Sequence, residues 1–586
     1  MTQPSAEQMQ IIGAPVAPMA VIACAGSGKT FTAVRRLAHM RHQLGDRRGR
    51  VALLSFSNVA IDTFRREYQS LSDNASGRAS HDRVEIGTLD SFITGNVLRP
   101  HAYRTMGCDR MPFLIAGTEP FLQNRDFKFW AQPSSGQAFP VSPALLYKVI
   151  VNIEAGRPTF HFRQQGAAIP INNGPAATAR LGAVGAYSHD LGRYWCYRTL
   201  VEQPAILNAL VRRYPHILID EAQDIGTVHQ AIIELLIGAG CQVSLIGDPN
   251  QGIYEFAGAD GSFLSLYGQR DGVTTLALTR NYRSVPSVLD LANRLSTRTD
   301  TAERNAPEAT NGAYFVPYRN AERENLVAAF RTAVLAADLK IERSAVLCRS
   351  REMADTLSGN EGAPGQGLVK NFAQAAILRD QHKDYMGALK LVAASIVGLL
   401  ADPPPGLVAR IARPDRAADD RALRRLIWAF TRNSDTGLPA ATLIADTQWH
   451  QLLLERTRIL LAQIAQSHGH ASANNLGNKL ARRDLPNAPL IAAVDLTAID
   501  AVPHIRVDTV HQAKGESLDA VLYLANREHA AELLTGVATE VGRIGYVAVT
   551  RARNLLWLGI PANALADLRP ALAARGFQEL GAAIAG

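Results

Sequence analysis

Short apolar runs alternate with amphipathic stretches at the start of the chain. Met19 to Cys24 and Val51 to Phe56 are apolar runs of the length and composition of buried strands. Between them lies a glycine-containing loop, followed by a stretch with helical periodicity that ends near His42. A strand, a loop, a helix and a second strand in this order predict the beginning of a doubly wound parallel sheet.

This alternation stops and returns further along the chain. Residues 95–200 are irregular and richer in Pro, Gly and aromatic side chains, whereas residues 201–285 resume the pattern. From about residue 359 to 500 the chain is rich in Ala, Leu and Arg, with helical periodicity. The further predicted elements are a helix near Asn320 to Ala337 and strands at His216 to Ile219, Val243 to Ile246, Ser344 to Cys348, Ile505 to Val510 and Ala520 to Leu524.

We therefore predict an α/β protein with two parallel-sheet cores, each interrupted by an insertion. Its 586 residues exceed a single hydrophobic core and suffice for three or four domains. The predicted parts are a first core at 1–94 and 201–285, a basic insertion at 95–200, a second core at 286–358 and 501–586, and a mainly helical insertion at 359–500.

Composition points to a globular cytoplasmic protein. Hydrophobic residues make up 47% of the chain and charged residues 19%, which is not the balance of a disordered protein. The N-terminal segment MTQPSAEQMQ has no signal-peptide pattern, and the longest apolar run, Leu391 to Ala401, is too short for a bilayer. Five cysteines without a CxxC pair disfavour disulfides, zinc and iron–sulfur sites. We expect no membrane partner.

The net charge of +8 is concentrated in one region. Residues 95–215 contain thirteen Lys and Arg against six Asp and Glu. One interpretation is an ordinary solvated basic face, and the other is a surface that follows the phosphates of a nucleic acid.

The string ACAGSGKT at Ala23 to Thr30 predicts a phosphate-binding loop. It follows an apolar strand and opens a helix, so backbone N–H groups of Gly26 to Lys29 can surround a phosphate at a helix N-terminus. Lys29 would reach the β- and γ-phosphates, and the Thr30 hydroxyl would ligate Mg²⁺. The predicted nucleotide-binding residues of this loop are Ala25, Gly26, Ser27, Gly28, Lys29 and Thr30.

A carboxylate pair ends the apolar strand in ILIDEAQD, at Ile217 to Asp224. Ligands of parallel α/β proteins gather at this end of the strands. Asp220 suits Mg²⁺ binding, and Glu221 suits positioning and deprotonation of the attacking water. Together with the phosphate-binding loop, this carboxylate pair predicts hydrolysis of a nucleoside triphosphate, with ATP and Mg²⁺ as cofactors.

Eight strings in a fixed order resemble the motifs of the UvrD/Rep/PcrA group of superfamily 1A DNA helicases. Besides the two already described, they are LLSFSNVAIDTF at Leu53 to Phe64, GTLDSF at Gly87 to Phe92, GDPNQGIYEFAGAD at Gly247 to Asp260, LTRNYRS at Leu278 to Ser284, and TVHQAKG with GYVAVTRAR at Thr509 to Gly515 and Gly545 to Arg553. The resemblance implies two RecA-like cores (1A and 2A) carrying insertions 1B and 2B.

The resemblance also implies roles for single residues. Gln8 would read adenine and Tyr282 would stack on it; Gln251 would sense the γ-phosphate; Arg283 and Arg551 would stabilise charge as that phosphate leaves. The implied DNA contacts are Phe56, Asn58, Thr88, Tyr254, Phe256 and His511.

Four positions depart from the family pattern. Phe31 follows the loop where well-known members carry an arginine against adenine, and Asp90 replaces a histidine of a DNA-contact motif. Ala257 replaces an arginine, and the acidic residue after Lys514-Gly515 is displaced by one position, to Glu516.

The predicted function is an ATP-dependent motor on single-stranded DNA or on DNA with a single-stranded tail, moving 3′→5′ by resemblance, as in DNA repair. An alternative is a DNA-responsive ATPase subunit of a nuclease or antiviral defence complex, with little unwinding of its own. A P-loop kinase or GTPase would explain the first loop but would not need Gln251, NYRS or VTRAR.

Overall fold

The structure is a computed structural model. It describes residues 3–73, 83–117, 119–164, 166–255, 258–357, 363–404, 406–412, 418–491 and 505–580. Phe256, one of the predicted DNA contacts, and the departure at Ala257 lie outside the described residues.

The chain is divided into two compact units, each built from separated segments. The first comprises Met1–Val97, Cys196–Gly359 and Pro503–Gly586, and the second comprises Leu98–Trp195 and Asn360–Val502. The first unit contains both parallel sheets, so all the predicted site residues that the structure describes belong to it.

The first sheet has six parallel strands in the order β6-β1-β5-β4-β2-β3. Its central strands are apolar and buried because helices cover both faces of such a sheet. The strands are β1 Met19–Ala23, β2 Val51–Ser55, β3 Val84–Thr88, β4 His216–Ile219, β5 Gln242–Gly247 and β6 Thr274–Leu278.

The second sheet also has six parallel strands, in the order β9-β8-β10-β11-β7-β12. Its strands are β7 Gly312–Tyr318, β8 Ala345–Cys348, β9 Arg506–Thr509, β10 Leu518–Leu524, β11 Ala552–Pro561 and β12 Gln578–Glu579. The predicted fold class of two parallel-sheet cores is therefore confirmed.

Eight helices of the first unit are numbered in chain order. They are α1 Ala6–Gly13, α2 Lys29–Leu44, α3 Asn58–Asp73, α4 Leu89–Ile93, α5 Thr227–Gly238, α6 Pro286–Ser296, α7 Arg323–Ala336 and α8 Glu540–Arg551. The other helices of this unit are Pro204–Arg213, Ser262–Gly268, Arg351–Leu357, Arg527–Thr535 and Leu565–Arg575.

The second unit combines a small antiparallel sheet with a helical array. Strands Val149–Glu154, Arg157–Gln164 and Ala167–Pro170 form the sheet, with helices Arg99–Thr105 and Gly174–Ala183. Helix His189–Glu202 crosses from this unit into the first. The remaining helices are Gly367–Asp380, Tyr385–Gly398, Leu407–Ala412, Ala418–Arg432, His450–His468 and Leu476–Lys479.

The helical part of the second unit has a core of its own, formed by apolar residues between Ala363 and Ile491. Within the described ranges, every helix is too short or too polar to cross a lipid bilayer.

Candidate nucleotide and nucleic-acid site

The predicted phosphate loop connects β1 to α2 through two glycines with positive φ. Gly26 has φ 75° and Gly28 has φ 78°, a left-handed conformation that disfavours other residues. A Cβ at Gly28 would lie 2.8 Å from Gln8 Nε2, so a larger residue there would also have to displace the Gln8 amide. Lys29 begins α2 directly after Gly28. The loop therefore opens directly into the N-terminus of α2, where the helix dipole and unpaired N–H groups favour an anion.

Gln8 is buried against this loop. Its Nε2 donates to the Ser27 carbonyl at 3.1 Å, and its Oε1 accepts from the Ser5 backbone N–H at 3.0 Å. Ser5 and Gln8 form a capping box that starts α1. The predicted adenine-reading residue is thus held beside the phosphate loop by its own helix cap.

Asp220 and Glu221 follow β4 inside the first unit. Asp220 is 2% exposed, and its Oδ1 is buried without a hydrogen-bond partner. Burial, and then the neighbouring Glu221, raise the pKa of Asp220. An unpaired buried carboxylate oxygen beside a phosphate loop fits a Mg²⁺ ligand, alone or through water. Burial opposes ionisation of Glu221 as well, but Lys29 and Lys514 hold its pKa below the usual range.

A chain of hydrogen bonds leads away from Glu221. Gln223 Nε2 donates to Glu221 Oε2 at 2.5 Å, and Gln223 Oε1 accepts from the Asp248 N–H at 3.0 Å. Gln251 Nε2 donates to Asp248 Oδ2 at 2.8 Å, and Gln251 Oε1 accepts from Arg551 Nη2 at 2.8 Å. Each link involves at least one side chain, and the three hydrogen bonds beyond Glu221 are buried, where polar networks are strong and rigid.

Arg551 is the last residue of α8, the helix that directly precedes β11 of the second sheet. It is 2% exposed. Its other N–H groups donate to the carbonyls of Val547 and Glu516. The two predicted arginines are neighbours, since Arg283 Nη1 donates to the carbonyl of Thr550, and burial and then Arg551 lower the pKa of Arg283 to about 9. An anion placed between two such cations would relieve their repulsion.

Arg283 is positioned from the phosphate loop. Asn281 Nδ2 donates to the Ala25 carbonyl at 2.6 Å, while Asn281 Oδ1 accepts from the Arg283 N–H at 2.8 Å. A Cβ added to Gly26 would lie 2.5 Å from the Cβ of Arg283. Arg283 Nη1 donates to the Thr550 carbonyl at 3.0 Å, directly before Arg551.

Aromatic side chains flank the loop. Tyr282 is 40% exposed, and its N–H donates to the Gly26 carbonyl at 2.9 Å, which leaves the ring available for stacking. Phe31 carries the guanidinium of Arg35 at 3.3 Å from its ring centroid. Arg35, one helical turn later, thus places a cation on the ring of Phe31.

The segment 251–255 is held by Lys514 and Arg543, two cations from the part of the chain that forms the second sheet. Lys514 Nζ donates to Asp224 Oδ1 at 2.5 Å and to the Gln251 carbonyl at 2.8 Å. Arg543 donates to the Gly252 carbonyl and to Glu255 Oε2, both at 2.6 Å. Both cations are buried, so their contacts are strong and directional.

Of the predicted DNA contacts, Tyr254 and His511 lie together. Their ring centroids are 5.7 Å apart, Lys514 Nζ lies 4.7 Å from the Tyr254 centroid, and His511 Nε2 is 3.2 Å from the Ile253 carbonyl. Tyr254 follows β5 of the first sheet in the chain, and His511 follows β9 of the second sheet.

The other described DNA-contact candidates lie at the ends of β2 and β3. Phe56 is half-buried and Asn58 is exposed. Thr88 accepts from the Ser91 N–H at 3.1 Å and caps α4. Asp90 Oδ1 lies 2.9 Å from His229 Nε2.

Several residues of these networks were not among the predicted site residues. Gln223, Asp224, Asn281 and Lys514 stand inside the quoted motifs, so their strings were the available signal. Arg543 lies two residues before GYVAVTRAR, and nothing in the sequence indicates its contact with Gly252 or that of His229 with Asp90.

The sequence of this chain is similar to those of known helicases. The family profile described as UvrD/REP helicase N-terminal domain matches residues 5–136 and 188–270. DNA helicase II of Haemophilus influenzae is 29% identical over 295 residues, which cover 49% of this chain and 40% of that protein. ATP-dependent DNA helicase Rep of Escherichia coli is 25% identical over 307 residues, covering 49% of this chain and 42% of Rep.

One relative matches nearly the whole chain. The Bacillus subtilis protein named "Putative ATP-dependent DNA helicase YjcD" is 24% identical over 629 aligned residues, covering 95% of this chain and 78% of the relative. The match to DNA helicase II, by contrast, spans less than half of that protein. Together these matches confirm the resemblance to UvrD/Rep helicases that the motifs predicted.

Proposed function

We propose that this UvrD/Rep-like chain is an ATP-dependent motor that moves along single-stranded DNA. The observation that carries the proposal is the hydrogen bond from Arg551 to Gln251, within the same buried network as Glu221. Residues of the first sheet and a helix of the second thus contribute to one site. If hydrolysis needs residues from both sheets, its rate depends on how the two sheets are placed relative to each other. A motor requires such a link between hydrolysis and movement.

In the proposed reaction, the phosphate loop holds ATP and Glu221 orients and deprotonates the attacking water. Glu221 suits this role because Lys29 and Lys514 keep it ionised despite its burial. Thr30 and Asp220 would hold Mg²⁺, which neutralises charge on the β- and γ-phosphates. Gln8 and Tyr282 would bind the adenine.

Arg283 and Arg551 would stabilise the charge that develops on the departing phosphate. Arg551 is buried and Arg283 is partly buried, and a cation that is already fixed in place acts without solvent reorganisation. Loss of that phosphate would remove the negative charge that Arg283 and Arg551 stabilise, and the cleft between the cores would open.

The DNA strand would run over Phe56, Asn58 and Thr88 on one side and over Tyr254 and His511 on the other; Phe256 is a further predicted contact outside the described residues. Aromatic rings bind bases of any sequence by stacking, which suits a motor that must pass every base. Tyr254 follows Gln251 by three residues, so a shift at the γ-phosphate has a short path to a DNA base.

The proposal is tested by measuring ATP hydrolysis with and without single-stranded oligonucleotide. We expect DNA to raise the rate about tenfold or more, and Lys29→Ala to abolish the stimulated rate while retaining the fold and DNA binding. Lys340→Ala, at an exposed lysine of the same unit, is the matched control and should behave like the wild type. Equal rates with and without DNA would contradict the motor.

A second assay separates the proposed helicase from the alternative subunit. Duplexes with a 3′ or a 5′ single-stranded tail are incubated with the purified chain and ATP. We expect unwinding of the 3′-tailed substrate, since the resemblance implies 3′→5′ movement. Stimulated hydrolysis without unwinding of either substrate would favour a DNA-responsive ATPase that works with a nuclease or another partner.

A further inference from the structure

His229 connects three segments of the first unit. It lies in the first turn of α5, a helix that begins three residues after Asp224. Its Nε2 is 2.9 Å from Asp90 Oδ1 in α4. Its imidazole also packs edge-on against Phe56, with centroids 5.5 Å apart and planes at 75°. One ring therefore touches two of the segments that resemble DNA-contact motifs.

The order of the first sheet explains this meeting. Strands β4, β2 and β3 are neighbours, and α5, Phe56 and α4 follow their carboxyl ends. The His229 side chain is only 5% exposed, whereas that of Asp90 is 35% exposed. A buried imidazole needs a hydrogen-bond partner, and the Asp90 carboxylate provides it.

Asp90 has the wrong charge for a direct contact with DNA phosphate, because a carboxylate repels it. Its bond to His229 gives the carboxylate an internal task instead. His229 in turn packs against Phe56, whose half-buried side chain keeps some exposed surface. Edge-on packing of this kind fixes the angle of a ring.

We propose that His229 is a positioning residue that sets the orientation of Phe56 and, through α5, links that orientation to the segment of Asp220 and Glu221. Asp90 holds His229 in place and does not bind phosphate. This inference rests on the proposed function, because it assigns Phe56 to the DNA strand.

The test compares DNA half-saturation of the ATPase with the KM for ATP. For His229→Ala we expect the DNA concentration that gives half-maximal stimulation to rise about fivefold to tenfold, the low end of what one stacked base contributes. The KM for ATP should change by less than about twofold. His382→Ala, at an exposed histidine of the second unit, is the control and should leave both quantities unchanged.

Further variants separate the two contacts of the imidazole. His229→Gln retains a donor near Nε2 but lacks the ring, so its half-saturation should lie between those of the wild type and His229→Ala. Asp90→Ala should give the same shift as His229→Ala. The double variant should show no greater shift than either single one, because both changes break one connection.

Three outcomes are distinguishable. Unchanged half-saturation in His229→Ala, or independent effects that multiply in the double variant, would overturn the positioning role. A wild-type ATPase that ignores DNA would instead overturn the proposed function. Thermal melting checks the fold, and if His229→Ala is unfolded, His229→Gln and Asp90→Ala provide the same comparison.

Discussion

At the scale of single residues, the hydrogen bonds of Arg551 explain why this position needs an arginine. It forms hydrogen bonds to three partners besides its neighbour Thr550, and one of them is the Gln251 side chain from the other sheet's loops. A planar guanidinium can satisfy several acceptors at fixed angles, which an ammonium group cannot. The position therefore requires arginine and not merely a positive charge.

Arg551→Lys tests this requirement. We expect the DNA-stimulated turnover to fall on the order of 10³-fold, because the charge remains but the fork that meets Gln251 and the phosphate is lost. Binding of a fluorescent ATP analogue should weaken only a few fold. Arg527→Lys, at an exposed surface arginine, should retain wild-type turnover. Near-normal turnover in Arg551→Lys would show that the residue acts by charge alone.

At the scale of elements, the phosphate loop is determined by two backbone positions. Gly26 adopts φ 75° and approaches the Cβ of Arg283, so a side chain there is excluded by conformation and by space. This close approach also brings Asn281 within hydrogen-bond distance of the Ala25 carbonyl. The loop and the segment that carries Arg283 thus fix each other.

Gly26→Ala should damage the site more than the fold. We expect about 1–2 kcal/mol of backbone strain, together with displacement of Arg283. The measured result should be weak ATP binding and little turnover, with a melting temperature only a few degrees lower. Gly13→Ala, where a Cβ meets nothing within 4 Å, is the matched control and should leave turnover unchanged. Equal behaviour of the two variants would contradict the close-packing argument.

At the scale of the whole molecule, the two sheets with their site residues form one unit, while the basic region between residues 98 and 195 belongs to the other. Exposed arginines in that region include Arg99, Arg104 and Arg157. If this surface follows phosphates, its contribution to DNA binding must weaken with salt, since each neutralised phosphate releases counterions.

Replacing Arg99, Arg104 and Arg157 together by Gln tests the interpretation of the charge. We expect weaker binding of single-stranded DNA and a decrease of about 2 in the slope of log affinity against log salt concentration. Turnover at saturating DNA should stay near that of the wild type. A control triple variant of Arg319, Arg527 and Arg569, exposed arginines of the first unit, changes the net charge equally. Identical salt slopes in the two triple variants would favour a merely solvated basic face.

Much of the fold and of the nucleotide site could be predicted because the relevant signals are local. The strand at His216–Ile219 was predicted with the bounds that the structure has, and α7 within three residues of its ends. The glycines at positions 26 and 28 are likewise required by the conformation of their own backbone.

The pairings across the chain could not be predicted in this way. Arg543 and Gly252 are separated by 291 positions, and His229 and Asp90 by 139. No local propensity distinguishes such an arginine or histidine from one on a solvated surface. The hydrogen bonds of Lys514 and Asn281 were also not predicted, although both residues stand inside the quoted motifs.

The sequence by itself determined the parallel-sheet fold class, the phosphate loop, the carboxylate pair and the resemblance to UvrD/Rep helicases. These follow from periodicity, backbone conformation and short strings, which act over a few residues. The tertiary structure alone decided that Glu221 and Arg551 belong to one hydrogen-bonded network and that Phe56 rests on His229. Such contacts arise only when packing brings distant segments within about 3 to 6 Å, a distance that no local pattern encodes.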